Sequence, residues 1–79
     1  MGYHSVEIEK GKLGEFSKIR EEFEEFQDAY NQNDDVLQIC ELTDLLGAIE
    51  AYSKKWNLSL EQLILFSNKT KSAFKDGKR

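Results

Sequence analysis

The sequence contains no proline, the residue that most often interrupts helices, and strong helix formers occur along most of its length. This combination predicts an all-α fold. At 79 residues the chain makes one domain, 1–79, and a chain of this size buries only about 60% of its unfolded surface. Its one cysteine, Cys40, cannot form an internal disulfide to compensate. We therefore expect a homo-oligomer, a dimer or a tetramer, whose subunits assemble into a helical bundle.

Three helices are predicted after an irregular arm at 1–14, which contains three of the five glycines. Their expected limits are about 15–31, 35–55 and 60–76. In the first helix, apolar residues recur at spacings of three and four and so share one face. These residues are Phe16, Ile19, Phe23, Phe26 and Tyr30. The second helix is apolar nearly all round, which predicts a position in the centre of a bundle.

The ends of the later helices carry recognisable signals. Asp34 or Asp35 is expected to cap the second helix. Ser59 and Gln62 have the spacing of a capping box at the start of the third, and Gly77 is a suitable residue to end it. Cys40, inside the second helix, is expected to be a buried apolar residue.

Charge is unevenly distributed along the chain. The net charge is −4, and eleven of the fifteen acidic residues lie between Glu15 and Glu50. This acidity argues against nucleic acid as a partner, whereas the basic segment 69–79 suits a bound polyanion. No apolar run reaches the ~20 residues of a membrane span, and the amino terminus lacks the apolar core of a signal peptide. We therefore expect a cytoplasmic protein with no membrane partner.

Two carboxylates occur where the pattern predicts burial. Glu41 and Asp44 are three residues apart within the apolar second helix, so they share a face. Charged side chains are almost never fully buried unless they are paired or bound to something. No lysine or arginine occurs between Glu21 and Tyr52, so a divalent cation is the simplest partner.

The first helix offers a matching pair. Glu22 and Glu25 are also three apart and lie beside its apolar face, whereas Glu21 and Glu24 are expected to point toward solvent. Four carboxylates from two neighbouring helices provide the all-oxygen environment that suits Mg²⁺, or Mn²⁺. Without a cation their repulsion should raise at least one pKa. The lack of histidine near either pair argues against a carboxylate-bridged iron site.

These acidic segments resemble a known signature. The segment 21–25 (EEFEE), followed after fifteen residues by 41–44 (ELTD), is similar to the EExxE and ExxD motifs of the MazG-like all-α nucleoside triphosphate pyrophosphohydrolases. Further likeness to short single-domain members lies at 17–22, 41–52 and 70–79, so that the resemblance spans about 11–79.

The resemblance implies magnesium-dependent cleavage between the α and β phosphates of a (d)NTP, which gives a monophosphate and pyrophosphate. Carried over by position, the metal ligands would be Glu22, Glu25, Glu41 and Asp44. Glu21 would be an outer partner, and either Glu22 or Glu25 would act as the catalytic base. The family also implies dimers or larger assemblies, with active sites beside the subunit interface.

Cations and an aromatic residue are candidates to bind the substrate. Lys18, Lys54, Lys71 and Arg79 are candidates for the outer phosphates, and Lys71 and Arg79 lie in the family-like tail. Trp56 is a candidate surface for the base. His4, the one histidine, is expected to be a surface residue of a mobile arm.

A different class of function fits part of the same pattern. A small helical protein with a glutamate-rich face can bind a basic protein surface without any catalysis. The expected burial of Glu41 and Asp44 counts against such a non-catalytic interaction module, because a docking face should be exposed.

Overall fold

The computed structural model describes residues 3–77. Three α-helices follow an irregular arm: α1, Phe16–Asn31; α2, Asp35–Ser53; and α3, Leu60–Lys75. One turn of 3-10 helix, Lys54–Trp56, follows α2, so the predicted second helix is regular only to Ser53. No strand occurs within 3–77, and the all-α prediction is confirmed. None of the helices in this part of the chain combines the length and hydropathy that a bilayer crossing requires.

The helix ends follow the sequence signals closely. The side chain of Asp34 accepts a hydrogen bond from Leu37 N–H at 3.0 Å and caps α2. Both hydrogen bonds of the predicted capping box join Ser59 and Gln62 at the start of α3. After the last turn of α3, Gly77 has a φ of 73°, a left-handed conformation that glycine adopts without strain.

The short turn after α1 folds α2 back against it, and this helical hairpin is the main packed unit of the subunit. Its apolar core is very small. Among the described residues, only Ala29 and Ala48 are buried hydrophobic side chains. The other buried side chains are polar or charged, and they are Glu21, Glu22, Asp28, Glu41 and Ser53.

The predicted apolar faces lie largely on the outside of the single chain. In α1, Phe16, Phe23 and Tyr30 are exposed, because the helix packs on α2 through its acidic flank instead. The prediction that α2 lies in the centre of a bundle is wrong for the isolated subunit. One side of α2 contacts α1, whereas Cys40, expected to be buried, is exposed.

The third helix adds little to this packing. Within the described chain α3 has no buried residue, and its contact with the α1–α2 hairpin is marginal at most. Large apolar side chains of α3 remain exposed, namely Ile64, Leu65, Phe66 and Phe74. Among residues 3–77, the subunit is therefore a hairpin followed by a third helix that contributes no buried side chain.

The arm is anchored along α1, contrary to the expectation that it is mobile. Near its end, Gly11 N–H donates to Glu21 Oε1 at 2.8 Å, and Lys12 N–H donates to Ser17 Oγ at 3.0 Å. Near its start, Ser5 N–H donates to Asp28 Oδ2 at 2.9 Å. Two carboxylates of α1 thus hold the arm at two points.

The approach at Gly11 is too close for a side chain. A Cβ atom at this position would clash with the backbone oxygen of Ser17. We predict that Gly11→Ala lowers the free energy of unfolding by about 1 to 3 kcal/mol, because the arm must move away from α1 and loses its bond to Glu21. Urea unfolding followed by circular dichroism measures this.

Gly47 provides the matched control. It lies inside α2, where an added Cβ meets nothing within 4 Å in the chain. Gly47→Ala should therefore leave the monomer unchanged or stabilise it by up to about 1 kcal/mol, through helix propensity alone. Equal stability of Gly11→Ala and the unaltered protein would show that the arm is not held against α1.

Candidate metal centre

Four carboxylates, two from each helix of the hairpin, converge between α1 and α2. Glu22 and Glu25 lie one turn apart on α1, and Glu41 and Asp44 lie one turn apart on α2. One oxygen from each of the four lies within 4.8 Å of the others. We call these four residues the acidic cluster. They are the residues that the sequence predicted as metal ligands, and the hairpin brings them together.

Burial differs among the four members. Glu22 and Glu41 are only 5% and 4% exposed, and Glu25 is half-buried. Asp44 is exposed, contrary to the expectation that it shares the burial of Glu41. The cluster therefore has a closed side between the helices and an open side at Asp44.

Two buried oxygens of the acidic cluster have nothing to bond to. Glu22 Oε1 and Glu41 Oε1 have no hydrogen-bond partner among residues 3–77. A buried polar atom without a partner is costly, and a buried charged one more so. A cation held by the acidic cluster would offer such oxygens a partner, so the side chains present fit a hard divalent ion.

Lys18 supplies a positive charge at the edge of the acidic cluster. Its Nζ lies 2.9 Å from Glu22 Oε2 and 3.1 Å from Glu21 Oε1. These hydrogen bonds, that to Glu22 first, raise the pKa of Lys18 well above its usual range. One lysine cannot balance four carboxylates, so a large negative charge remains.

The remaining charge is relieved in part by a proton. Burial, followed by the charge of Glu22 and a hydrogen bond with Glu41, raises the pKa of Glu25 to about 7. The expectation that at least one pKa in the group is raised therefore holds at Glu25, with burial contributing more than repulsion.

Glu21 and Asp28 lie beside the acidic cluster and hold the arm. Glu21, expected to face solvent, is 2% exposed. Its burial acts to raise its pKa, but hydrogen bonds from Gly11 N–H and Lys18 outweigh burial, and the pKa is lowered. Hydrogen bonds from the Ser5 side chain and backbone lower the pKa of Asp28 well below its usual range. Both carboxylates therefore stay ionised near neutral pH.

His4 is a site residue that the sequence reasoning missed. The arm carries its ring back onto the acidic cluster, where its side chain is only 9% exposed. Nε2 lies 3.3 Å from Glu41 Oε2, and Nδ1 lies 2.9 Å from Asp28 Oδ2. His4 and Asp28 are 24 residues apart, and no spacing rule connects an irregular arm to a helix at that distance. The expectation that no histidine lies near either carboxylate pair is therefore wrong.

An open cleft of about 480 Å³ adjoins the exposed side of the acidic cluster. Lys18, Glu22, Asp44 and Gly47 are among the residues that line it. Of the residues predicted to bind substrate, Lys18 alone lies here. Its ammonium group is already paired with two glutamates.

The other predicted substrate residues that the structure describes lie elsewhere in the subunit. Lys54 lines a depression with Glu50, and Lys71 lines another one on α3 with Phe74. Trp56 is exposed and packs edge-on against Tyr52, with ring centroids 5.3 Å apart. Arg79 lies outside the described residues. Within residues 3–77, the subunit does not bring Lys54, Lys71 or Trp56 to the acidic cluster.

The raised pKa of Glu25 predicts how stability depends on pH without metal. Between an ordinary value of 4.5 and about 7, folded Glu25 holds a proton that the unfolded chain releases. The stabilisation of the folded state by protonated Glu25 is therefore complete below pH 4.5 and is lost as pH rises through about 7. We expect the free energy of unfolding to fall by on the order of 1 to 2 kcal/mol from pH 5.5 to 8.

Glu25→Gln is the control for this dependence, since the amide does not titrate. Glu21 and Asp28 keep their charge over this range because their pKa values are lowered. Chelator-treated protein, unfolded in urea at each pH, should show the slope, and Glu25→Gln should flatten it. An identical slope in both proteins would assign the titration to another group.

Comparison with known proteins identifies the family. The family profile described as PRA-PH, phosphoribosyl-ATP pyrophosphohydrolase, matches residues 3–64, which include the arm, α1 and α2. No curated protein and no solved structure matches the chain. The match includes all four members of the acidic cluster but ends before Lys71 and Arg79. The chain therefore belongs to the phosphoribosyl-ATP pyrophosphohydrolase family, a MazG-like family of all-α nucleoside triphosphate pyrophosphohydrolases.

Proposed function

We propose that this protein is a metal-dependent pyrophosphohydrolase that cleaves nucleoside triphosphates between the α and β phosphates, in nucleotide-pool housekeeping. The family supports the reaction class. The observation that carries the metal dependence is the acidic cluster itself, with two buried oxygens that lack a partner. Mg²⁺ is the proposed ion, with Mn²⁺ as a substitute, because both accept all-oxygen ligation. Such substrates would place the protein in the cytoplasm, as expected from the sequence.

Glu22, Glu25, Glu41 and Asp44 would hold the ion. The bound ion supplies charge that neutralises phosphate oxygens and polarises the attacking water. The buried glutamates exclude bulk water from the closed side of the cluster, so substrate approaches from the side of Asp44. Like-charged phosphates cannot approach four carboxylates unless cations reverse the local field.

Glu25 is the better candidate of the two proposed catalytic bases. Glu22 is already paired with Lys18 at 2.9 Å, whereas Glu25 has no lysine or arginine partner among the described residues. In the proposed reaction a water oxygen bonds to phosphorus as the α–β bridging bond breaks, and Glu25 takes the proton of that water. The products are a monophosphate and pyrophosphate.

The residues that bind the outer phosphates and the nucleobase are a separate part of the proposal. Lys54, Lys71 and Trp56 lie away from the cleft in one subunit, and Arg79 lies outside the described residues. We propose that any of them that bind substrate do so across a subunit boundary. Lys18 would bind the outer phosphates only if its ammonium group left one of its two glutamate partners for the substrate.

A homo-oligomer is part of this proposal. Exposed apolar residues occur on both hairpin helices and on α3, as with Phe23, Leu46 and Phe66. Monomeric soluble proteins rarely expose large contiguous apolar surfaces. A second copy that covers these faces would supply the core that Ala29 and Ala48 do not.

Static light scattering at micromolar concentration tests the assembly. We expect the mass of a dimer or a tetramer, because the exposed apolar faces bury against each other. Phe23→Glu and Leu46→Glu should each shift the mass toward the monomer. A stable monomer of the unaltered protein at this concentration would contradict the proposed oligomer.

The interaction-module alternative predicts different behaviour. An acidic docking face needs no metal. Of the four members of the acidic cluster, only Asp44 is exposed as docking requires. The burial of Glu22 and Glu41 favours the enzyme. The presence of His4 removes one argument against iron, but the Glu-x-x-His pattern of carboxylate-bridged iron proteins is still lacking in the sequence.

A substrate panel with Mg²⁺ tests the reaction. NTPs, dNTPs and phosphoribosyl-ATP are incubated with the protein, and monophosphate and pyrophosphate products are quantified. We expect Asp44→Asn to reduce kcat at least about 100-fold, because one anionic ligand is removed while the shape is kept. Its stability without metal should equal or exceed that of the unaltered protein, since repulsion is relieved.

Glu24→Gln is the matched control for that panel. Glu24 is half-buried and lies outside the acidic cluster, in a depression lined with the arm residues Val6 and Ile8. This variant should keep its activity within about threefold, well below the loss expected for a group that stabilises the transition state. Full turnover by Asp44→Asn, or no pyrophosphate from any substrate with Mg²⁺ or Mn²⁺, would overturn the proposed function.

A further inference from the structure

The arm brings a nitrogen ligand to a cluster otherwise made of oxygen. His4 Nε2 lies 3.3 Å from Glu41 Oε2 and 3.8 Å from Glu25 Oε1. One ligand atom from each of these three residues lies within 4.8 Å of the others, and the His4 side chain is 9% exposed. Asp44 is not a member of this group.

A carboxylate fixes the orientation of the imidazole. Asp28 Oδ2 accepts from His4 Nδ1 at 2.9 Å, and Asp28 is itself held by Ser5 N–H and by Gln32 Nε2 at 2.8 Å. With the proton on Nδ1, the lone pair of Nε2 is free and faces Glu41 and Glu25. Histidine ligands of metals are usually oriented in this way, by a carboxylate on the other ring nitrogen.

The distances match those between ligands of one small ion. Two atoms that each lie about 2.1 Å from an ion are about 3.0 Å apart at a right angle and about 3.4 Å apart at a tetrahedral angle. The contact of Nε2 with Glu41 falls in this range, and that with Glu25 exceeds it by a few tenths of an ångström. Glu41 also has a buried oxygen, Oε1, that lacks a partner within the described chain.

We infer that His4, Glu25 and Glu41 form a second cation position, which takes a transition metal such as Zn²⁺ in preference to Mg²⁺. Imidazole nitrogen suits zinc and other transition metals, whereas Mg²⁺ favours oxygen and keeps its water. This inference extends the proposed function, because Glu25 and Glu41 are shared with the acidic cluster. With the arm in place, the hairpin has two adjoining cation positions, one with oxygen ligands alone and one that includes the nitrogen of His4.

Ring nitrogen NMR of the full chain tests the inference directly. His4 is the only histidine, so both ring nitrogen signals belong to it, and their different couplings to the ring protons distinguish Nδ1 from Nε2. The Cys40→Ser background removes an exposed thiol that would compete for zinc. We expect one equivalent of Zn²⁺ to move the Nε2 signal to that of a ligated nitrogen, with Nδ1 still protonated. Mg²⁺ should leave Nε2 unligated.

Calorimetric titration of variants separates the two positions. His4→Asn keeps a donor near Asp28 but removes Nε2, so Zn²⁺ affinity should fall at least about tenfold, whereas Mg²⁺ affinity stays within about twofold. Asp44→Asn should have the opposite pattern, with weaker Mg²⁺ binding and nearly unchanged Zn²⁺ binding. Ser5→Ala loosens the arm without removing a ligand and should have a smaller effect on Zn²⁺ than His4→Asn.

The outcomes distinguish this inference from the proposed function. An Nε2 signal that does not move at saturating Zn²⁺ overturns the second position, even if His4→Asn does not fold. Equal losses of Zn²⁺ and Mg²⁺ affinity in His4→Asn also overturn it. A loss of Zn²⁺ affinity in Ser5→Ala as large as that in His4→Asn does the same, because both results indicate displacement of the arm and not removal of a ligand. If Mg²⁺ does not bind and Asp44→Asn has no effect, the proposed function fails, while a ligated Nε2 still supports the zinc position.

Discussion

Repulsion between carboxylates in the α1–α2 interface is the constraint on which the rest of this structure depends. Among residues 3–77, the interface between α1 and α2 holds mainly negative charge, and its buried apolar residues are two alanines. Charge of one sign in a poorly hydrated space must be reduced. Lys18 and a proton on Glu25 each reduce it in part. The apolar side chains that would otherwise fill such an interface face outward.

Local signals in the sequence predicted the helices well. Helix caps depend on residues within one turn of each other, so Asp34 and the pair Ser59 and Gln62 could be identified without knowledge of the fold. The four members of the acidic cluster could also be named, because residues three apart share a helix face and the motif spacing assigned two to each helix. Their roles as ligands stay predictions.

The side on which each helix packs could not be predicted from the same patterns. The stripe containing Phe16, Phe23 and Tyr30 indicates a buried face, but it does not indicate which molecule buries it. In α2 the apolar residues occur nearly all round the helix, so their periodicity does not indicate which face is buried. The contact of His4 with Asp28 could not be predicted, because it joins an irregular segment to a helix over 24 residues. Glu21 was misjudged for the same reason, since its partner Gly11 belongs to the arm.

The exposed position of Asp44 has a consequence for exchange of a bound ion. Because the open cleft reaches the cluster at this residue, an ion can enter or leave without separation of the helices or release of the arm. For the proposed Mg²⁺ ion, the slow step would then be the loss of its bound water, which it gives up reluctantly, and not a motion of the protein. Occupancy of the open side should therefore follow the surrounding ion concentrations without any unfolding of the hairpin.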